Sequence, residues 1–477
     1  METTPETETS TAHGAGQLAH NSIGLGRVIG FTAGFIGPAA SIVLGLVVTF
    51  SITGFATPFV VLVALIGALL TGASIAEFAR RSPSAGGLYT YNVRGLGHPG
   101  GFITGWLLFF AYMVYVPGGV GAAASFFTAF FHDAFNVNIS ENYFFFILLA
   151  VVAALAYRGI SASAQVDLTL LAIEVLVILA LAVTILGKSG GHLTFASFNP
   201  AKSLHGRFSD LTLGMVFTAV IFGGFEAAAV LGEESREPRR IIPRGIFGAL
   251  ILVGVFYLVV SFAETQGVGY AGMPKFAALT NQLQALTSQF WSPSVLWIID
   301  LVVALSTLAF TIAVFNTGVR YFFAMGREDM LPSAFGRTGR YKTPEVAIAT
   351  VTVFTLAVGV PMLITVGGFD IFAYLGAVAG LCVIIAYILV NLALIIAFRT
   401  KDKAEFRPVR HLLMPLGGIA IFAFPLVGTF YPEPAWPYNI LPYIAVGWLA
   451  VGIGVVAWLA RRRPDKLAAT GKVFVDN

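Results

Sequence analysis

Twelve apolar stretches, each long enough to cross a membrane as a helix, follow one another along the chain. They cover roughly 26–52, 57–80, 100–131, 141–158, 161–187, 209–232, 241–264, 294–326, 345–366, 370–398, 411–430 and 438–460. Crossing the hydrocarbon takes about 20 mostly apolar residues in a helix. The polar residues between the stretches are short connectors. Before the first stretch, residues 1–22 are polar and acidic, lack the basic start of a signal peptide, and read as a disordered tail.

Composition agrees with this pattern. Of the 477 residues, 57% are hydrophobic and only 11% charged, against about 25% charged in soluble domains. Charge then orients the spans. With twelve crossings, 24 of the 28 Lys and Arg residues fall on one side. The other side holds only Lys188, Lys202, Arg207 and Lys275. Lys and Arg accumulate in cytoplasmic loops, and one missing span would reverse every later loop. Both termini are therefore expected in the cytoplasm, in a multi-pass protein of the cytoplasmic membrane. The same bias explains the net charge of +4 without nucleic acid.

Two spans are interrupted. Span 1 contains Gly34, Gly37 and Pro38 about 11 residues in, or roughly 16 Å at 1.5 Å per residue. Span 6 runs the opposite way, and its Gly223–Gly224 pair lies at a similar depth. Pro38 and Gly224 are 186 residues apart. The same shift carries spans 2 and 3 close to spans 7 and 8. This spacing predicts an inverted five-plus-five repeat, 23–190 and 205–400, with two additional helices at 411–460 and a tail at 461–477. Irregular backbone at the midplane is tolerated where it is buried in protein or lines a cavity. Freed N–H groups can hold a carboxylate there, and freed carbonyls an ammonium or Na⁺. The alternative is that the glycines only let helices pack closely.

Several segments resemble the amino acid–polyamine–organocation (APC) permeases. "AEFARRSPSAGGLYTYNVRGLGHPGGFITGW" (76–106) is similar to their helix 2–3 region, and "YRGISASAQVDLTLLAIEVL" (157–176) to their helix 4–5 junction. "FGGFEAAAVLGEESREPRRIIPRGI" (222–246) resembles their helix 6 and the loop after it, and "NTGVRYFFAMGREDMLPSAFGRTGRYKTPEVA" (316–347) their helix 8 and the loop after it. The resemblance covers nearly all of 23–400. It implies an all-α, LeuT-like fold with broken helices 1 and 6, and secondary transport, most often of amino acids. Two departures stand out. Many members carry a small-residue run such as G-S-G at the first break, where this chain has "GFIGPAAS". Some proton-coupled members place a lysine at the position of Glu174, so the charge here is opposite.

The expected substrate site is formed by Gly34, Gly37, Pro38, Ala39, Ala40 and Ser41 from span 1 and by Phe222, Gly223, Gly224, Phe225 and Glu226 from span 6, with Tyr115 facing it. Phe222 and Phe225 are candidate gates, and Tyr374 a second candidate lining ring; packing is the competing reading for each. A carboxylate at the bilayer centre costs about 2.5–3.5 kcal/mol on insertion scales, so it faces a cavity or a partner. Glu174 and Glu226 are therefore the candidates for proton or cation coupling. Glu226 is read either as a ligand for a substrate ammonium or as a cap on the unwound backbone. Ser306, Thr307 and Thr311 are candidate Na⁺ ligands with helix 1 carbonyls, or else bond back to their own helix. Asp300 and Glu77 read as boundary residues and Asp370 as a helix cap.

The lone cysteine, Cys382, offers no disulfide or metal site, and the chain lacks HExxH, phosphate-loop and triad motifs. Channel charge rings are absent too. The expectation is a secondary transporter for a small amino acid, driven by H⁺ or Na⁺ with H⁺ preferred, without cofactor or metal, working as a monomer or homodimer in the bilayer. The alternative is an amine or polyamine permease, or an exchanger.

Overall fold

The computed structural model describes residues 24–81, 87–159, 164–190, 193–231, 235–279, 281–327, 330–431 and 433–470. The expected tail 1–22, the last residues of the C-terminal tail and the 160–163 part of the helix 4–5 motif lie outside them. Among the described residues there are eleven apolar helical stretches long enough to cross a membrane. The first, Leu25–Arg81, has 57 residues, about 85 Å at helical rise, far beyond a core of about 30 Å. It makes two crossings and turns between them at Gly54, whose φ of 56° is left-handed. The crossings number twelve, as the hydropathy pattern predicts.

We number them α1 (25–53), α2 (Thr57–Arg81), α3 (Leu88–Phe135), α4 (Glu141–Arg158), α5 (Ala164–Lys188), α6 (208–231), α7 (Pro238–Ala277), α8 (Leu296–Arg327), α9 (Glu345–Thr365), α10 (Gly368–Thr400), α11 (Met414–Phe430) and α12 (Leu441–Arg462). The protein is all-helical. α3, α6 and α10 are enclosed by other helices, while α4, α5, α9, α11 and α12 turn most of their residues outward. α3 lies against α10 and α8, and α2 against α7.

Contacts between connectors sort them into two faces. On one face Arg81 meets Glu405 at 2.6 Å, and Arg94 meets Asp402 at 3.1 Å. There too Thr343 donates to the Tyr157 carbonyl at 2.9 Å. On the opposite face Lys188 reaches the Phe290 carbonyl, the Thr194 N–H donates to Gln266 at 2.8 Å, and the Gly368 N–H donates to Glu141 at 3.1 Å. These pairings are those that twelve alternating crossings require. The first face carries most of the Lys and Arg and is called the arginine-rich face below.

The boundaries differ from the sequence reading at glycine elbows. α3 begins at Leu88, not near residue 100, because residues before Gly97 (φ 74°, ψ −179°) form a further helical piece. Its Tyr91 is buried and stacks on Phe78 at 5.5 Å. α7 likewise continues past Gly269 (φ 70°, ψ 165°) to Ala277, and a helix at Gln282–Phe290 precedes α8. Polar and glycine-rich composition hid all three as loop. α12 is fastened to α3 by a reciprocal pair. The Trp106 and Trp448 indoles stack at 4.4 Å, and each donates to the other's carbonyl, at 2.9 and 3.0 Å.

Candidate functional site

α1 is helical from Leu25 to Ile36 and stops at Gly37, where φ 62° and ψ 72° put the backbone in the left-handed region. The Gly37 N–H turns back to the Ala33 and Gly34 carbonyls at 3.2 and 3.1 Å. Pro38 then restarts the helix; its missing N–H costs nothing at a first helical position. The restart exposes N–H groups that a helix interior would have paired. One is taken up by another helix: Ala40 N–H donates to the Ser306 hydroxyl of α8 at 3.1 Å. The carboxyl group of Glu174 from α5 lies beside Ala39 and Ser306. Glu174 is buried, 5% exposed, and sits about 15 Å along α5 by helical rise. An acidic group at a helix start is favoured by the helix dipole. Thr307 and Thr311 donate to carbonyls of their own helix at 2.8 and 2.7 Å, so Ser306 is the one of the three that reaches α1.

α6 breaks differently. Helix Phe208–Ile221 ends, Gly223 N–H folds back to the Val220 carbonyl at 2.8 Å, and Gly224 adopts φ 106°. A Cβ on Gly224 would lie 2.5 Å from the Phe35 ring, so both the angle and the space demand glycine. The chain continues as a tight 3₁₀ turn, Phe225–Leu231. Glu226 reaches back within this segment and accepts the Gly224 N–H at 3.0 Å. Its carboxyl also accepts the hydroxyls of Tyr112 from α3, at 2.7 Å, and of Tyr387 from α10. The two breaks touch through Tyr257 of α7, whose hydroxyl meets the Ile221 carbonyl at 3.4 Å and the Ser41 side chain.

Between the breaks lies a cavity of about 40 Å³. At about 10–15 Å³ per water it holds a few waters. Ligand sites usually span about 300–1,000 Å³, so the cavity as it stands is smaller than a solute site. Its walls are Phe35, Ile36, Ala40, Ser41, Leu44 and Gly45 of α1; Val220, Ile221, Gly223, Gly224 and Glu226 of α6; Tyr112 and Tyr115 of α3; Phe310 and Val314 of α8; and Phe372 and Val383 of α10. Aromatic groups shut both ends. Toward the arginine-rich face Phe35 meets Tyr112 edge-on at 5.9 Å, and Tyr112 stacks on Tyr321 at 5.5 Å. Toward the opposite face Tyr115, Phe310 and Phe372 meet at 5.8–6.3 Å.

Of the residues expected from sequence, Ala40, Ser41, Gly223, Gly224, Glu226 and Tyr115 line this cavity. Gly34, Gly37, Pro38 and Ala39 shape the break without lining it. Phe222 and Phe225 are fully buried outside the lining, against Tyr257 at 5.5 Å and Tyr387 at 4.9 Å. Tyr374 packs on Tyr438 at 5.6 Å. Asp300 accepts from Gln284 at 2.5 Å, and Glu77 pairs with Arg80 and Arg81, both at 3.2 Å. Tyr112, Tyr257 and Tyr387 went unrecognised in the sequence, although Tyr112 lies one turn from Tyr115 on the same helix.

Twelve crossings, two unwound helices and an enclosed cavity between them define a multi-pass membrane transporter. The chain belongs to the amino acid permease family, whose sequence model matches residues 16–452, within the APC superfamily. It is similar to the branched-chain amino acid permease BcaP of Lactococcus lactis subsp. cremoris, at 24% identity over 86% of this chain and 89% of the relative. It is also similar to the low-affinity putrescine importer PlaP of Escherichia coli K12, at 25% identity over 83% and 84%. The methylthioribose transporter of Bacillus subtilis matches at 24% over 78% and 80%. The family and these relatives are transporters, not enzymes.

Proposed function

We propose that the protein is a secondary transporter of an amino acid with an apolar side chain, working in the cytoplasmic membrane. The observation that carries the reading is the cavity wall. It is apolar apart from Ser41, the break backbone, two tyrosine hydroxyls and Glu226, and Glu226 is already held by three donors. An apolar side chain suits such a wall, whereas a diamine needs free acceptors for two ammonium groups. The similarity to a branched-chain amino acid permease supports the same class; the similarity to a putrescine importer keeps the amine reading as the alternative.

The arginine-rich face is then cytoplasmic, by the Lys/Arg bias, with both termini on that side. The two five-helix repeats, 23–190 and 205–400, rock about the cavity. Substrate entry parts one aromatic cluster while the other stays shut, and the α-carboxylate and ammonium are met by backbone groups at the two breaks. Glu174 couples the cycle to protons. Charged, it attracts the start of the restarted helix strongly; protonated, it attracts it less. A Na⁺ held by Glu174, Ser306 and α1 carbonyls is the competing driver.

Uptake into vesicles containing the purified protein tests this. Leucine, isoleucine or valine should accumulate under an inward proton gradient without Na⁺. Putrescine uptake with no response to the three amino acids would overturn the substrate class. Uptake driven only by Na⁺ would overturn the coupling.

A further inference from the structure

A second cavity, of about 280 Å³, opens on the arginine-rich face between the end of α2 and the start of α11. It is a little smaller than a usual small-molecule site of about 300–1,000 Å³. Its floor is Glu77, which is satisfied without any ligand: Arg80 and Arg81 each lie 3.2 Å from it. Arg81 also reaches Glu405 at 2.6 Å, with its guanidinium 4.2 Å over the Phe398 ring. Two further cations lie beside this group, and among the described residues neither is hydrogen-bonded through its guanidinium. The Arg410 guanidinium is half exposed and 3.8 Å from Glu77, outside hydrogen-bond reach. Arg407 is exposed, and among the described residues its guanidinium has no hydrogen bond or ion pair.

The chain makes a donor-rich corner here. Residues Val409–Leu413 form the first turn leading into α11, directly after Pro408, and the N–H groups of a helix start carry partial positive charge. His411 supplies the second observation. Its Nδ1 accepts the Arg407 N–H at 3.0 Å, which leaves the imidazole proton on Nε2. That Nε2 is enclosed, belongs to a side chain 1% exposed, and has no hydrogen-bond partner; Glu77 is 3.5 Å away. Buried polar atoms are normally paired, so an unpaired donor in the wall of a cationic cavity marks a place for an acceptor.

We propose that this cavity binds a phosphate-bearing anion, held by Arg407, Arg410 and the His411 Nε2–H. The group can come from a lipid headgroup or from soluble phosphate. The neighbouring surface favours the lipid. Val409, Leu413 and Leu416 are 63%, 59% and 45% exposed, and their spacing puts them on one side of the helix, leading away from the cavity. A headgroup at Arg407 and Arg410 would lay an acyl chain along that stripe. Basic pockets between membrane helices suit this chemistry. The proposal does not depend on which solute the central cavity carries.

The test is thermal unfolding of the detergent-purified protein with phosphatidylglycerol, phosphatidylcholine or inorganic phosphate, with lipid retention read in parallel by native mass spectrometry. Phosphatidylglycerol should raise the midpoint and stay bound where phosphatidylcholine does not. Arg407→Gln/Arg410→Gln should weaken that response about tenfold or more, while Arg461→Gln/Arg462→Gln, at the exposed end of α12, should behave as wild type. If the double variant folds poorly, Arg407→Gln alone should show a smaller loss in the same direction. Stabilisation by inorganic phosphate that is lost in the double variant, with no further effect of phosphatidylglycerol, would keep the site and assign it to soluble phosphate. No response to either anionic probe, or a response that the double variant retains, would overturn the proposal.

Discussion

The two breaks solve one problem in opposite ways. Each strands backbone N–H groups in the middle of a membrane protein, and each has a buried carboxyl group beside them. In α6 the carboxyl is local: Glu226 lies two residues beyond Gly224 and bonds its N–H. In α1 the neighbours are borrowed: Ser306 of α8 accepts the Ala40 N–H, and Glu174 of α5 lies beside Ala39. A cap carried by its own segment survives any rearrangement of neighbouring helices. A cap carried by another helix is lost when the two separate. In α6 the cap therefore moves with its own break, whereas in α1 the groups beside the break belong to α5 and α8.

The largest effect on stability is expected from Glu226→Ala, which leaves the Tyr112 and Tyr387 hydroxyls without their acceptor and the Gly224 N–H with only the Tyr387 oxygen at 3.3 Å. Orphaned buried donors cost about 1–3 kcal/mol each, so the unfolding midpoint should drop sharply and uptake should vanish. Near-normal melting would mean that the cap is dispensable. Gly224→Ala comes next, because strained backbone costs about 1–3 kcal/mol and the Phe35 ring adds a steric clash. Gly37→Ala shares the strain but meets a milder contact, with Phe310 Cβ at 3.2 Å. Equal midpoints for the two glycine variants would contradict this ranking.

Ser306→Ala removes one acceptor from Ala40 and should cost about 1 kcal/mol. Glu174→Gln is expected to melt closest to wild type, because the amide keeps the size and polarity of the buried carboxyl group. Its uptake should lose all response to a proton gradient while equilibrative exchange persists. Uptake by Glu174→Gln that remains gradient-driven would remove this residue from coupling.

The span count and both breaks were legible because they depend on local composition: long apolar runs, and Gly or Pro where such runs should be smooth. Glu174 and Glu226 were legible for the same reason, as carboxyls in apolar surroundings. Their partners were not. Tyr112 and Tyr387 lie 114 and 161 residues from Glu226, and a tyrosine among many aromatics gives no sign of what its hydroxyl meets. Phe222 and Phe225 flank the break in sequence, but the 3₁₀ turn leaves their rings packed outside the cavity lining. Sequence adjacency to Gly224 was a poor guide to which way they face.

The connection after α1 bears on how motion is transmitted. Only Gly54–Ala56 separate its outer part from α2, and the Thr53 and Thr57 hydroxyls bond across that link at 2.7 Å. Residues 47–53 and α2 therefore form a bent lever with a stiff elbow, and Leu25–Ile36 is set off from it by the left-handed pivot at Gly37. Tilting α2 would swing the outer arm as one piece and leave the inner arm to follow through the pivot. Distance probes on the two arms should report unequal amplitudes during a transport cycle.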